Sequence, residues 1–66
     1  MHVTVNAEPR EVAPGTTVGD LLVELKLDKA ICAAEINKAV VPRAERDARV
    51  LAEGDVIELV TLVGGG

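Results

Sequence analysis

The chain contains no phenylalanine, tyrosine or tryptophan, although 48% of its residues are hydrophobic. Valine, leucine, isoleucine and alanine must therefore build the core. Cysteine and histidine are nearly as scarce, with one of each. No disulfide can form within the chain, and the paired cysteines of metal sites are absent. Cys32 lies in an apolar run, where a free cysteine behaves as a small buried hydrophobe, and His2 is solitary, so we predict no metal-binding residue.

Length and charge narrow the class of protein. A chain of 66 residues is predicted to form one domain, residues 1–66, too small for a deep active-site cleft. No catalytic triad or carboxylate pair can be assembled from it, which favours a carrier or binding module over an enzyme. Eleven acidic residues against seven basic ones argue against nucleic acid and anionic membranes. The acidic surface suits a partner that displays lysine or arginine, or it simply maintains solubility.

No signal peptide or membrane-spanning run is recognisable, because the apolar stretches are short and interrupted by charges. We therefore expect a cytoplasmic protein that is monomeric when free.

The first half of the chain predicts a hairpin followed by a helix. Residues 2–6 alternate between apolar and polar, residues 6–9 have turn chemistry, and residues 10–13 form a return strand. Thr17 and Asp20 form a variant of the capping box that starts a helix ending between residues 26 and 28. An apolar stripe at helical spacing must pack across the hairpin; it comprises Val18, Leu21, Leu22 and Leu25.

The second half predicts short strands and a long final one. The predicted segments are a strand at 31–36, a brief apolar piece at 39–41, a charged and solvated helical turn at 43–49, a tight turn at 53–55 and a strand at 56–63. We expect Gly54 to have a positive φ, Asn37 to shape a turn, and Arg43 to be a structural surface charge rather than a partner contact. A helix on one face of a small mixed sheet is an α+β arrangement. With the last strand parallel to the first at the centre, this is the β-grasp, or ubiquitin-like roll.

The last strand is predicted to have two different faces. Successive side chains of a strand point to opposite faces of the sheet. Ile57 and Leu59 are therefore predicted to face the helix, and the alternate residues to face solvent: Val56, Glu58, Val60 and Leu62. Val60 and Leu62 would then form an apolar patch, a candidate docking site for a partner. A register shift of one residue would exchange the two faces.

The chain ends in Gly64-Gly65-Gly66, which carries no side chain. A strand would fix the origin of this tail, and the tail would thread into a partner channel too narrow for a Cβ atom. The functional group would be the α-carboxylate of Gly66. The alternative is that these glycines are a frayed end or a cloning remnant.

Taken together, these features resemble the ThiS family, the small sulfur carriers of thiamin biosynthesis. The matching stretches run in order through the chain: residues 3–6, 14–18, 20–22, 34–37, 40–43, 54–58 and 63–66. Leu62 departs from the pattern, because many members carry an aromatic residue there, which puts the identity of the partner in question.

The resemblance implies a mechanism centred on Gly66. An E1-like, ThiF-type partner enzyme uses Mg-ATP to adenylate the carboxylate. A sulfur donor, such as a cysteine desulfurase system, then converts the adenylate to a thiocarboxylate, which delivers sulfur to thiazole synthase. The chain itself would bind no cofactor.

Other functions share the same fold and tail. A molybdopterin-type carrier is usually longer and contains aromatic residues, and carriers for tRNA thiolation or cysteine synthesis are further alternatives. A ubiquitin-like modifier would join Gly66 to a target lysine. In a plain β-grasp interaction domain the glycines would be incidental. All the carrier mechanisms require a free carboxylate on Gly66, so a native gene that continues beyond it would exclude them.

Overall fold

The structure is a computed structural model that describes residues 1–29 and 32–61. In this part of the chain, five strands form one sheet in the order β2-β1-β5-β3-β4. The elements are β1 (His2–Val5), β2 (Glu8–Glu11), α1 (Val18–Glu24), β3 (Cys32–Ile36), β4 (Ala39–Val40), a short 3₁₀ helix (Arg43–Glu45) and β5 (Val56–Thr61).

The final strand lies at the centre of this sheet. It runs parallel to β1, with Val56 opposite Thr4 and Ile57 opposite Val5. On its other side it runs antiparallel to β3, from Ile57 opposite Ile36 to Thr61 opposite Cys32. This arrangement, with α1 against the sheet, confirms the predicted α+β class and the β-grasp topology.

The β1–β2 hairpin differs from the prediction in its turn. Asn6 and Ala7 alone form the connection, with φ of 49° and 70°, as in the two-residue type I′ turns that match strand twist. The return strand therefore begins at Glu8 and ends at Glu11, two residues earlier in the chain than the predicted strand at 10–13. Pro9 lies inside β2, and a proline is tolerated there because β2 is an edge strand.

The helix begins as predicted. The amide of Asp20 donates to Oγ1 of Thr17 at 3.0 Å, and the amide of Thr17 donates to Oδ2 of Asp20 at 3.1 Å. These two bonds form the capping box, which satisfies amides that have no partner within the helix. The buried positions are Val18, Leu21 and Leu22, with Leu25 partly buried against the core, so the apolar stripe is confirmed.

The helix ends earlier than predicted, at Glu24. The amide of Lys26 donates to the carbonyl of Val23, and the amide of Leu27 donates to the carbonyl of Leu22 at 2.8 Å. This pair of bonds is a Schellman motif, in which Lys26 takes the left-handed conformation with φ of 62°. Glycine is the usual residue at that position, so its absence hid the end of the helix from the sequence pattern.

The charged segment 43–49 presents a solvated face, as predicted, with Arg43, Glu45, Asp47 and Arg49 exposed, but its main chain also contacts α1. Its carbonyls at Arg46 and Arg49 accept hydrogen bonds at 3.0 Å from the amides of Gly19 and Val18, at the start of α1. A Cβ atom on Gly19 would collide with the side chain of Asp47. The segment thus caps the helix with main-chain groups, which a charge pattern does not reveal.

The core lies between α1 and the sheet. Leu21, Ile36 and Ile57 are among its fully buried side chains. Cys32 is buried with them, as predicted for a small hydrophobe. No helix within residues 1–29 and 32–61 is long and apolar enough to cross a membrane.

Candidate functional site

The candidate site is the end of β5 and the sheet surface around it. Along this strand Ile57 and Leu59 are 0% and 7% exposed, whereas Val60 is 57% exposed. The predicted division of the strand into a core face and a solvent face is therefore confirmed, and the alternative register is excluded. The other predicted docking residue, Leu62, lies outside the described residues, as do Gly64, Gly65 and Gly66.

The solvent side of the sheet is partly apolar. We define the open sheet face as the outward residues of β3, β4 and β5: Ala33, Glu35, Val40, Val56, Glu58 and Val60. Three of its valines are large exposed hydrophobic residues, with Val40 at 67% exposure. An exposed apolar surface bordered by charges is typical of a protein interaction site.

Two glutamates face each other within this surface. Glu35 of β3 lies directly opposite Glu58 of β5. Like charges in directly opposed positions destabilise a sheet. The pair also places negative potential among the valines, where a lysine or arginine of a partner would neutralise it.

The end of β5 is held on both sides. On the β3 side, Thr61 is paired with Cys32, and Nη2 of Arg46 donates to the carbonyl of Cys32 at 2.6 Å. On the β1 side, Nδ2 of Asn6 donates to the carbonyl of Leu59 at 3.2 Å, and the amide of Leu59 donates to Oδ1 of Asn6 at 2.8 Å.

The start of β5 is held by a second asparagine. The amide of Val56 donates to Oδ1 of Asn37 at 3.0 Å, and Nδ2 of Asn37 donates to Oδ1 of Asp55 at 3.1 Å. The other oxygen of the buried Asp55 accepts from the amide of Ala52 at 2.8 Å, closing the turn in which Gly54 has the predicted positive φ of 84°.

Sequence reasoning assigned no role to Asn6 beyond its turn and missed the contact of Asn37 with β5. The sequence carried no local signal for these contacts; the structure shows that each asparagine opens a two-residue turn with positive φ at both positions. Asparagine tolerates that conformation and has both a donor and an acceptor to offer. Arg43, predicted to be a surface charge, is exposed at the start of the 3₁₀ helix.

A cavity of about 290 Å³ lies on the helix side of the hairpin, with Leu25, Leu27 and Leu59 among its walls. Its charged lining includes Arg10, whose Nη2 is 3.4 Å from Oε1 of the exposed Glu24. Among residues 1–29 and 32–61, no three histidine, cysteine or acidic side chains are grouped as metal ligands. The described part of the site thus offers an exposed, partly apolar sheet surface and a strand end that is bonded on both sides.

Comparison with known proteins places this geometry in a family. The model of the ThiS family matches residues 3–66. The chain is 44% identical over 66 residues to a thiazole synthase of Magnetococcus marinus, of which it spans only 20%. It is 33% identical to the sulfur carrier protein ThiS of Escherichia coli over the full length of both chains. The crystal structure of a thiamine biosynthesis protein (ThiS) of Geobacter metallireducens superposes with a TM-score of 0.84 at 36% identity, over all of both chains.

The opposed glutamates give a prediction for stability. Replacing Glu58 with glutamine should raise the free energy of unfolding by about 0.2–1 kcal/mol, because it removes the repulsion with Glu35. The gain should shrink in about 1 M salt, where the screening length falls to about 3 Å. Urea unfolding at low and high salt measures both effects.

The matched control is Glu8→Gln, which changes the net charge equally but whose cross-strand neighbour is the uncharged Val5. If Glu8→Gln raised the free energy of unfolding as much as Glu58→Gln, the cause would be the change in net charge. That result would contradict repulsion between Glu35 and Glu58.

Proposed function

This chain belongs to the ThiS family, and from that premise we propose that it is a sulfur carrier of thiamin biosynthesis that acts through the carboxylate of Gly66. The observation that carries the proposal is the central position of β5, the strand that leads into the terminal glycines. A strand paired on both sides gives the tail a fixed origin. The protein would be a cytoplasmic monomer when free and would serve as a covalent co-substrate rather than an enzyme.

The chemistry begins with activation of a poor acyl donor. In the active site of an E1-like, ThiF-type enzyme, a carboxylate oxygen of Gly66 attacks the α-phosphorus of Mg-ATP and pyrophosphate leaves. The resulting acyl-adenylate has AMP as a good leaving group. A hydrosulfide equivalent then attacks the acyl carbon and releases AMP, which leaves a thiocarboxylate on Gly66. A cysteine desulfurase system would supply the sulfur as a protein persulfide. With the persulfide as nucleophile, AMP leaves and an acyl disulfide forms on Gly66; a second thiol then cleaves this disulfide, releasing the thiocarboxylate and forming a new disulfide between the two thiols. The nucleotide and metal belong to the partner enzyme.

The acceptor we propose is thiazole synthase. The relative from Magnetococcus marinus that bears this name contains a segment similar to this chain within a protein about five times as long, which supports a functional link between the two. The match to the ThiS family favours the thiamin pathway over the molybdopterin and tRNA pathways that share a diglycine end.

Two features of the chain would act together in the partner complexes. The open sheet face, with Leu62 beyond its described part, provides the docking surface. Because Val60 lies on the same strand that leads to Gly66, docking of this face would direct the tail towards the active site. Gly64 and Gly65 would then pass through a channel that excludes water from the adenylate.

The threading mechanism predicts the effect of a side chain in the tail. Gly65→Ala should fold normally but lower the rate of adenylation by about tenfold or more, because a small displacement of the reacting group has a large effect on rate. Pyrophosphate release by the cognate adenylating enzyme measures the rate, and thermal unfolding checks the fold.

Deletion of Gly65 and Gly66 is the negative control and should abolish pyrophosphate release. Adenylation of Gly65→Ala at the normal rate would refute threading through a narrow channel.

The docking surface predicts a separate effect on affinity. Val60→Glu should weaken binding to the adenylating enzyme by about tenfold or more, equivalent to about 1.4 kcal/mol, because it buries an unpaired charge in the interface. Titration calorimetry with the partner measures the dissociation constant.

Val23→Glu provides the matched control, since Val23 is 60% exposed but lies on α1, away from the open sheet face. If both variants weakened binding equally, the loss would stem from added negative charge, and the assignment of the docking face would be wrong.

A further inference from the structure

Main-chain pairing on the β1 side of β5 ends before the strand does. The last such bond is donated by the amide of Asn6 to the carbonyl of Ile57 at 2.9 Å. The hairpin then turns away through Asn6 and Ala7. Leu59 lies further along β5, beyond the reach of the β1 main chain.

The side chain of Asn6 continues the ladder at that point. Its amide group exchanges two hydrogen bonds with the main chain of Leu59, one to the carbonyl and one from the amide. A primary amide offers the same donor and acceptor as a peptide group. Asn6 therefore stands in for an additional strand residue and holds β5 two residues further than β1 itself does.

We propose that Asn6 is a positioning residue for the chemistry at Gly66, because it holds the end of β5 on the side that β3 does not pair. This inference rests on the proposed sulfur-carrier function. Asn6 acts through Leu59 and has no contact with the reacting carboxylate in this mechanism.

The length of the remaining chain shows why this point matters. Five residues follow Thr61, and a segment of that length spans at most about 18 Å. β3 still pairs with this end as far as Thr61, but without the Asn6 bonds residues 58–61 would be held on that side alone. Fraying of this end back to Ile57 would leave nine residues, with a maximum span of about 32 Å. A longer tether spreads the carboxylate over a larger volume and lowers its effective concentration in the partner active site.

Asn37 offers a matched comparison within the same chain. It opens a turn of the same kind, with φ of 52° against 49° for Asn6. It also makes two side-chain hydrogen bonds at β5, but at the start of the strand, to Val56 and to the adjoining Asp55. Loss of Asn37 should therefore weaken the fold without releasing the end that leads to the tail.

The test uses the full-length variants Asn6→Gly and Asn37→Gly. Glycine accepts positive φ, so both turns are retained while the side-chain bonds are lost. Amide hydrogen exchange in the free protein reports the local release, and initial rates with the adenylating enzyme and Mg-ATP give kcat and KM.

We expect Asn6→Gly to speed exchange of the Leu59 amide about tenfold or more, and Asn37→Gly to do the same at Val56, since each amide loses its acceptor. After correction for the folded fraction, kcat/KM should fall about threefold to tenfold for Asn6→Gly and stay within about twofold of wild type for Asn37→Gly. Asn6→Asp keeps an acceptor for the Leu59 amide and should show intermediate values.

Equal kinetic losses in the two glycine variants, or no loss for Asn6→Gly, would overturn the positioning role. If the wild-type protein itself were not adenylated, the proposed function would fail instead. The exchange data would still show whether Asn6 holds Leu59, so the two failures are distinguishable.

Discussion

The structure depends on the pairing of β5 with two neighbours of opposite direction, β1 in parallel and β3 in antiparallel orientation. This double pairing places the last strand of the chain at the centre of the sheet. Its inward residues, Ile57 and Leu59, are buried in the hydrophobic core. A terminal segment normally frays, but here it is tied into the core up to Thr61. The proposed chemistry at Gly66 uses this property, since a reactive end needs both a fixed origin and freedom beyond it.

The open sheet face departs from what local stability favours. A face designed for solubility alone would separate Glu35 from Glu58 and would expose fewer valines than Val40, Val56 and Val60. Conflicts of this kind between a local rule and the fold are expected at functional sites. Basic groups of a partner would neutralise the two glutamates, and its apolar groups would cover the valines. A basic partner also agrees with the net charge of −4.

Much of the fold follows from periodicity in the sequence, because burial imposes a regular pattern. The alternation around Ile57 identified the core face of β5, and the pair Thr17 and Asp20 identified the start of α1. Less regular features were missed for physical reasons. The two-residue turn at Asn6 lacks the usual glycine, and the left-handed Lys26 likewise ends the helix without one. The roles of Asn6 and Asn37 depend on contacts between segments that are distant in the chain, which no local pattern contains.

The most direct test of the sulfur-carrier function is the intact mass of the protein after incubation with a ThiF-type adenylating enzyme, Mg-ATP and a sulfide source. We predict a mass increase that corresponds to replacement of one oxygen by sulfur. The increase should be absent without ATP and absent when Gly65 and Gly66 are deleted. An unchanged mass, with an enzyme shown to be active on its own carrier, would contradict thiocarboxylate formation with this class of partner.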